Sequence, residues 1–316
     1  AQGGGISSSN GGIVGNILFS NAGGPGGDLT ITATESVEVV GISEILTNGG
    51  RISSYLAAQT LSDTPGGSLR ISTPVLTVRE GGIVSTASLG AGKAGNITID
   101  AGRVEAIGSA NNGQFISKIE ASVGIVDNFT NSAATGNGGE MNLNVNQLIV
   151  RDGATVNVQA LGRGNAGTLT VVANTINLDN KASINASTGS GAGGNINLQA
   201  QNIQLRRGSS INTNAGNTTG GNITINTDIL AAIPLENSNI TANAQKGSGG
   251  QVRITAQGIF GIEFRLSTTP LSDITATSEL GPQFNGIVQI NSPNVNPAAG
   301  LVQLPENFTN PINQIA

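Results

Sequence analysis

Apolar and polar residues alternate with period two along most of the chain, and the alternation restarts after pairs of small residues. After Gly193, for example, Ile196, Leu198 and Ala200 are interleaved with Asn197 and Gln199. Two shorter runs follow, on Ile203 and Leu205 and on Ile211 and Thr213. Period two places successive side chains on opposite faces of extended backbone, so each run predicts a half-buried strand and none predicts a helix. The same offsets select Leu69, Ile71, Thr73, Leu76, Val78, Val84 and Thr86 after Gly66. After Ala166 they select Leu169, Val171, Ala173, Ile176, Leu178, Ile184 and Ala186.

The restart is itself a repeat, with unit starts at Gly26, Gly66, Ala94, Gly138, Ala166, Gly193, Gly220, Gly249 and Asn285 and a basic spacing of 27 to 29 residues. A unit of that length with three short strands and Gly-rich corners cannot bury its own apolar face, but stacked copies can. The expected fold is therefore all-β, a parallel β-helix (solenoid) of about nine coils with three strands per coil. Its interior rows would be Ile, Leu, Val and Ala, with Thr, Asn and Gln facing water. A partial N-terminal coil is expected over 1–25, the coils over 26–292 and a Pro-rich tail over 293–316.

Three units are longer than the rest. In the unit at Ala94 the third strand is expected at Lys118 to Ser122, between SANNGQF and VGIVDNFTNSAATGN. These insertions, and SEILTNGG near Leu46, are expected to protrude from one side of the rod. Their Phe115 and Phe129 are the candidate recognition residues, since loops on a rigid scaffold commonly carry binding.

Composition narrows the chemistry. Forty-seven glycines, one Tyr, one Met, seven Phe and no Trp suit an interior too narrow for many rings. Without His or Cys the chain has no imidazole base, thiol nucleophile, disulfide or Cys/His zinc site. A net charge of −5 and a single adjacent basic pair, Arg206 and Arg207, give no nucleic-acid footprint. No apolar run approaches the roughly 18 residues of a membrane span, and the start has no leader pattern, so a soluble mature or internal piece is expected.

Several single residues invite a chemical reading that turn geometry also explains. GGPGGDLTI, with Asp28, fits a calcium-binding β-roll nonapeptide, but the later coils carry Ser68, Asn96, Glu140 and Thr168 at that column, so the carboxylate ladder such a site needs is missing. Asn195 and Asn222, in the same column, suit a side-chain amide ladder along the corner. Glu80 and Asp152 share another column two coils apart, roughly 10 Å and so near the upper limit for the inverting carboxylate pair of a polysaccharide-cleaving β-helix, yet Arg-acid-Gly at a corner is explained by the turn. No metal, cofactor or catalytic residue is expected.

The repeated GGNITI pattern, together with QGIFGIEFRLSTTPLSDITATSELG from Gln257 and GIVQINSPNVNPAAGLVQLPE from Gly286, resembles the large secreted exoproteins of the filamentous-haemagglutinin type, their cyanobacterial branch above all. That resemblance implies a right-handed β-helix, export by two-partner secretion and a place outside the cell or on its outer surface. The family has no shared catalytic motif. The resulting expectation is a non-enzymatic structural protein that self-assembles head to tail into fibres or acts as an adhesin toward a cell-surface glycan or extracellular matrix. A polysaccharide-binding or polysaccharide-cleaving β-helix is the alternative.

Overall fold

In the computed structural model the described residues are 5–7, 13–14, 17–18, 25–45, 50–60, 63–126, 129–130 and 132–293. They form an all-β parallel β-helix built on two large sheets, one of 11 strands and one of 10. A single row runs the length of the larger sheet, pairing Leu29, Leu69, Ile97, Met141, Leu169, Ile196, Ile223, Val252 and Val288 in parallel register. Each of these residues lies three positions after a repeat start, so the 27- to 29-residue spacing is the length of chain that returns to the same column.

The first and second runs of most coils merge into one bent strand, as in Leu69–Arg79, Ile97–Ile107, Glu140–Arg151 and Asn195–Leu205. Both runs pair with their counterparts above and below, and the ladder skips a single position at the bend between them, as at Pro74 and Gly102 or Gln201 and Asp228. The third run is a strand of three residues: Ile83–Ser85, Lys118–Glu120, Thr155–Asn157, Ser183–Asn185, Ser210–Asn212 and Asn239–Thr241 stack to form the smaller sheet. Gly5–Ser7 extends that sheet by pairing in parallel with Tyr55–Ala57.

One hydrophobic cluster fills the cylinder from Val39 to Ala276. Its side chains are aliphatic because the space between sheets is thin. The interior also takes threonine: Thr73, Thr86 and Thr213, which fall at the apolar offsets of their units, are buried. Thr86 Oγ1 donates to the Gly95 carbonyl at 2.8 Å and Thr73 Oγ1 to the Val75 carbonyl at 3.2 Å, whereas Thr213 Oγ1 is buried without a hydrogen-bond partner.

The small-residue pair at each restart has a steric cause. Its second member is glycine in every coil, and a Cβ at Gly95, Gly167, Gly194 or Gly250 would lie 1.8, 1.9, 2.2 or 2.0 Å from the carbonyl oxygen of the matching glycine one coil earlier. The corner backbones stack too closely for any side chain.

The insertions do not leave from one side. Ser109–Ala110 pairs antiparallel with Phe115–Ile116 before the strand Lys118–Glu120, whereas Ile125–Val126 pairs with Phe129–Thr130 after it. A strand that crosses a whole side of the coil separates the two hairpins. Leu46 to Gly49 and residues 294–316, which hold the rest of the expected SEILTNGG loop and nearly all of the Pro-rich tail, lie outside the described residues. So does most of the expected partial coil over 1–25.

Candidate functional site

The three-residue strands point only their middle residue into the cylinder. On either side of the interior row Val84, Ile119, Val156, Ile184, Ile211 and Ile240, the flanking residues face outward. Lys118, Thr155, Ser183 and Ser210 form one row; Ser85, Glu120, Asn157, Asn185, Asn212 and Thr241 form the other. Two residues further on, Gln159, Ser187, Asn214 and Asn243 continue the polar surface from coil to coil. Asn185 Nδ2 donates to Gln159 Oε1 at 2.8 Å and Ser187 Oγ to Asn212 Oδ1 at 2.5 Å. The Asn243 backbone N–H donates to Asn214 Oδ1 at 2.8 Å, and Thr275 Oγ1 to Asn243 Oδ1 at 2.9 Å. These contacts cross-link successive rungs and hold the amides at fixed orientation.

Both ends of this face are covered by insertions. Near the first, the segment from Gln114 to Ile116 lies over Lys118 and Glu120, whose ion pair is 3.0 Å long with the Glu120 carboxylate 0% exposed. Near the second, Asp273 is ion-paired to Arg265 and accepts from the Thr269 N–H at 2.5 Å and its hydroxyl at 3.0 Å. A cavity of about 280 Å³ sits against the first cover and an open groove of about 530 Å³ against the second. Gln159 and Asn185 line the cavity, Ser187, Asn214 and Asn243 the groove, so one polar face joins them. A separate open groove of about 820 Å³ follows the bend of the long strands, floored by Asn174, Gln201, Asp228 and Gln257.

Several charged groups elsewhere sit at the corners, while the pairs Arg70–Asp100 and Arg103–Glu105 lie on the outer face of the long strands. Glu80 and Asp152 have φ of 54° and 59°, and Asn180 and Arg207 occupy the same left-handed turn at 50° and 47°. Glu80 pairs with Arg79. Asp152 accepts from Asn180 Nδ2 at 2.8 Å and from Arg151 at 2.6 Å, contacts that hold its carboxyl below the usual range, the Asn180 bond most of all. Arg206 and Arg207 are less solvated than a lone basic pair. Arg206 forms a two-point bridge of 2.8 and 2.9 Å to Glu236, from the 3-10 turn Pro234–Glu236 of the next coil, while the Arg207 guanidinium pairs with Asp179. The Arg206 bridge, and then the Arg207 N–H, hold Glu236 down to about 2.

The remaining candidates fall at three places. Asp28 Oδ1 accepts the Ser68 backbone N–H of the next coil at 2.7 Å, as Asn96 Oδ1 accepts that of Glu140 at 3.0 Å; it is a corner clasp between coils. Among the described residues no group of three or more acidic side chains converges. Asn222 Nδ2 donates to Asn195 Oδ1 at 2.9 Å along the same column. Phe115 is 4% exposed and packs over Gly81, where a Cβ would meet Phe115 Cβ at 3.0 Å and Ile42 Cγ2 at 2.9 Å. It therefore closes a gap between two insertions and is not presented to solvent. The backbone of Phe129 pairs with Val126; its side chain is outside the described set.

The alternation places Thr, Asn and Gln on the outside but does not single out these rows as a candidate surface. Their trace is the recurring triplet polar-aliphatic-polar of KIE, TVN, SIN, SIN and NIT, one per coil. The chain matches no protein-family model, no curated protein and no solved structure. Fold and surface together define a class, a β-solenoid with an amide-lined outer face.

Proposed function

We propose that this protein is a non-enzymatic structural rod of the outer cell surface or extracellular space that associates end to end into fibres. The observation that carries the reading is the C-terminal edge. Among the described residues, Ile287–Asn291 pairs on one side only, with Gln251–Phe260; Ile287, in the outward column of Gln251, is 58% exposed and Ile290, in the inward column of Ile254, is 42% exposed. An edge strand with no second partner among the described residues, carrying aliphatic side chains, is a template for another strand. The opposite end offers the complement. Leu29–Thr32 and Ser36–Val40 also pair on one side only among the described residues. The row that ends at Val288 begins at Leu29, so a second copy continues it in register, a heterologous contact that does not close.

The non-enzymatic part of the reading is supported by where the acids lie. Glu80 and Asp152 are two rungs apart, about 10 Å, and each is spent on a turn and an ion pair. Glu120 and Asp273 share the outer face but stand five rungs apart, about 24 Å, well beyond the roughly 9.5 Å limit of a carboxylate pair that cleaves glycosides. Export by two-partner secretion rests on the resemblance of the repeats and of the segment from Gln257.

Sedimentation velocity and electron microscopy of the purified chain test the assembly. Mass that rises with concentration and filaments about one coil in width are expected, with both lost in the double substitution Ile287→Lys, Ile290→Lys. A monomer that persists at high concentration overturns the reading.

A further inference from the structure

One coil departs from its neighbours in the smaller sheet. At the two outward positions the coils around it place Ile83, Thr155, Ser183 and Ser210, then Ser85, Asn157, Asn185 and Asn212, whereas this coil places Lys118 and Glu120. Among the described residues Lys118 is the only buried cation, and its Nζ lies 3.0 Å from Glu120 Oε1. Withdrawing two charges from water is costly even when they are paired, and end-to-end assembly makes no use of them.

Asn157, on the next coil, supplies a third buried group. Parallel register sets it beside Glu120, and Thr155 beside Lys118, with neighbouring strands about 4.8 Å apart. Lys118 leans along its strand to Glu120, while Asn157 leans the opposite way along its own, Nδ2 donating to Thr155 Oγ1 at 2.9 Å. An amine and a carboxamide are thereby laid side by side across one gap between coils. Asn157 Oδ1 is enclosed and has no hydrogen-bond partner, a state that few buried polar atoms in folded proteins show. The same enclosure keeps water, the competing nucleophile, from the Asn157 carboxamide.

We propose that Lys118 and Asn157 join through a side-chain amide, a cross-link that the chain forms by itself with Glu120 as the proton carrier. The Lys118 ammonium gives one proton to the Glu120 carboxylate across the 3.0 Å contact, and the neutral amine attacks Asn157 Cγ. Protonated Glu120, the register partner of Asn157, then offers a donor to Oδ1 as charge develops there. The Nζ–Cγ bond forms and the Cγ–Nδ2 bond breaks. Of the three protons on Nζ, one remains on the new amide, one stays on Glu120 and one leaves with Nδ2 as ammonia, so no oxidant or cofactor is needed. The products are neutral, and the two buried charges are gone. In a chain without Cys, and so without disulfides, this bond ties two successive coils covalently. It forms once and does not turn over, within one chain and away from both ends of the rod, so it is independent of the fibre reading.

Intact mass spectrometry of the purified whole chain tests it. A deficit of about 17 Da, one ammonia, is expected against the mass of the sequence, with a digest fragment in which the peptides of Lys118 and Asn157 remain joined. Lys118→Arg, Asn157→Ala and Glu120→Gln should each restore the full mass. Glu120→Gln should do so while keeping the circular dichroism spectrum of the parent, a result that a purely structural role for Glu120 does not give. A parent chain of full mass overturns the proposal. So does a deficit that persists in Lys118→Arg, as a succinimide at Asn112 and Gly113 would produce. The decisive reading is made on the parent chain, so it stands even where a variant fails to fold. The fibre reading fails on a different readout, the absence of filaments.

Discussion

At the scale of the residue, glycine does two unrelated jobs in this rod, and they predict different costs. At Gly194 a methyl group would sit 2.2 Å from the Gly167 carbonyl and 2.9 Å from Ala186 Cβ. Gly194→Ala should therefore cost at least the roughly 1–3 kcal/mol typical of overpacking and split neighbouring coils, readable in denaturant unfolding as a lower midpoint. Gly153 has φ of +82° with no atom within 4 Å of where a methyl group would sit, and its column already holds Lys181 at φ +63°. Gly153→Asn should cost less than about 1 kcal/mol, since Asn enters the left-handed region readily. Equal losses at the two sites would contradict the distinction. The sequence displays both glycine types, but only the stacked backbone separates them.

Interior residues belong to the same scale. Ile176 is fully buried, midway along the large hydrophobic cluster. Ile176→Ala should cost about 2–5 kcal/mol with no change in which strands pair, a result to be read from the unfolding midpoint and an unaltered circular dichroism spectrum.

At the scale of the element, one corner gathers four charges from successive coils. Arg206, Arg207, Asp179 and Glu236 tie three successive coils at one corner. Glu236 is lowered in the folded state, so its contribution is fully present above its ordinary 4.5 and is lost as the pH falls from there to about 2. Stability should decline through that acid window. Glu236→Gln should flatten the decline and lower stability at neutral pH, and an unchanged acid profile would remove Glu236 from the account. Because the pair is partly open to water, high salt should weaken it.

Part of each element is legible before any tertiary contact is known. The strand Lys118–Glu120 follows from its position in the unit, because a period-two triplet needs no tertiary information. The role of its two charged ends does not. Lys and Glu in a KIE triplet look like a solvated edge, yet both are buried, beside a cavity that the Gln114–Ile116 segment also lines. Phe115 departs from its expected exposure for a related reason: an aromatic in an insertion has no periodicity to say which way it faces, and packing over Gly81 decides it.

At the scale of the whole molecule, the rod is a stack of nearly equal units sharing one core, so its stability is distributed and its ends are its weak points. End-to-end association should consequently raise thermal stability with protein concentration, by mass action. The double substitution at Ile287 and Ile290 should remove that dependence while leaving the monomer folded. A melting temperature independent of concentration in the unaltered chain would count against assembly. No helix among the described residues is long and apolar enough to cross a membrane.

The sequence by itself determined the coil: the alternation set which side chains enter the cylinder, the 27- to 29-residue period set the register, and the recurring Gly marked the corner. These follow from local geometry repeated, which is why nine restarts align with one paired row from Leu29 to Val288. The tertiary structure decided what the outside of the coil does. Whether an outward Asn, Lys or Phe meets water, a partner or a cavity depends on which insertion folds back over it, and that is fixed by contacts between residues distant in the chain.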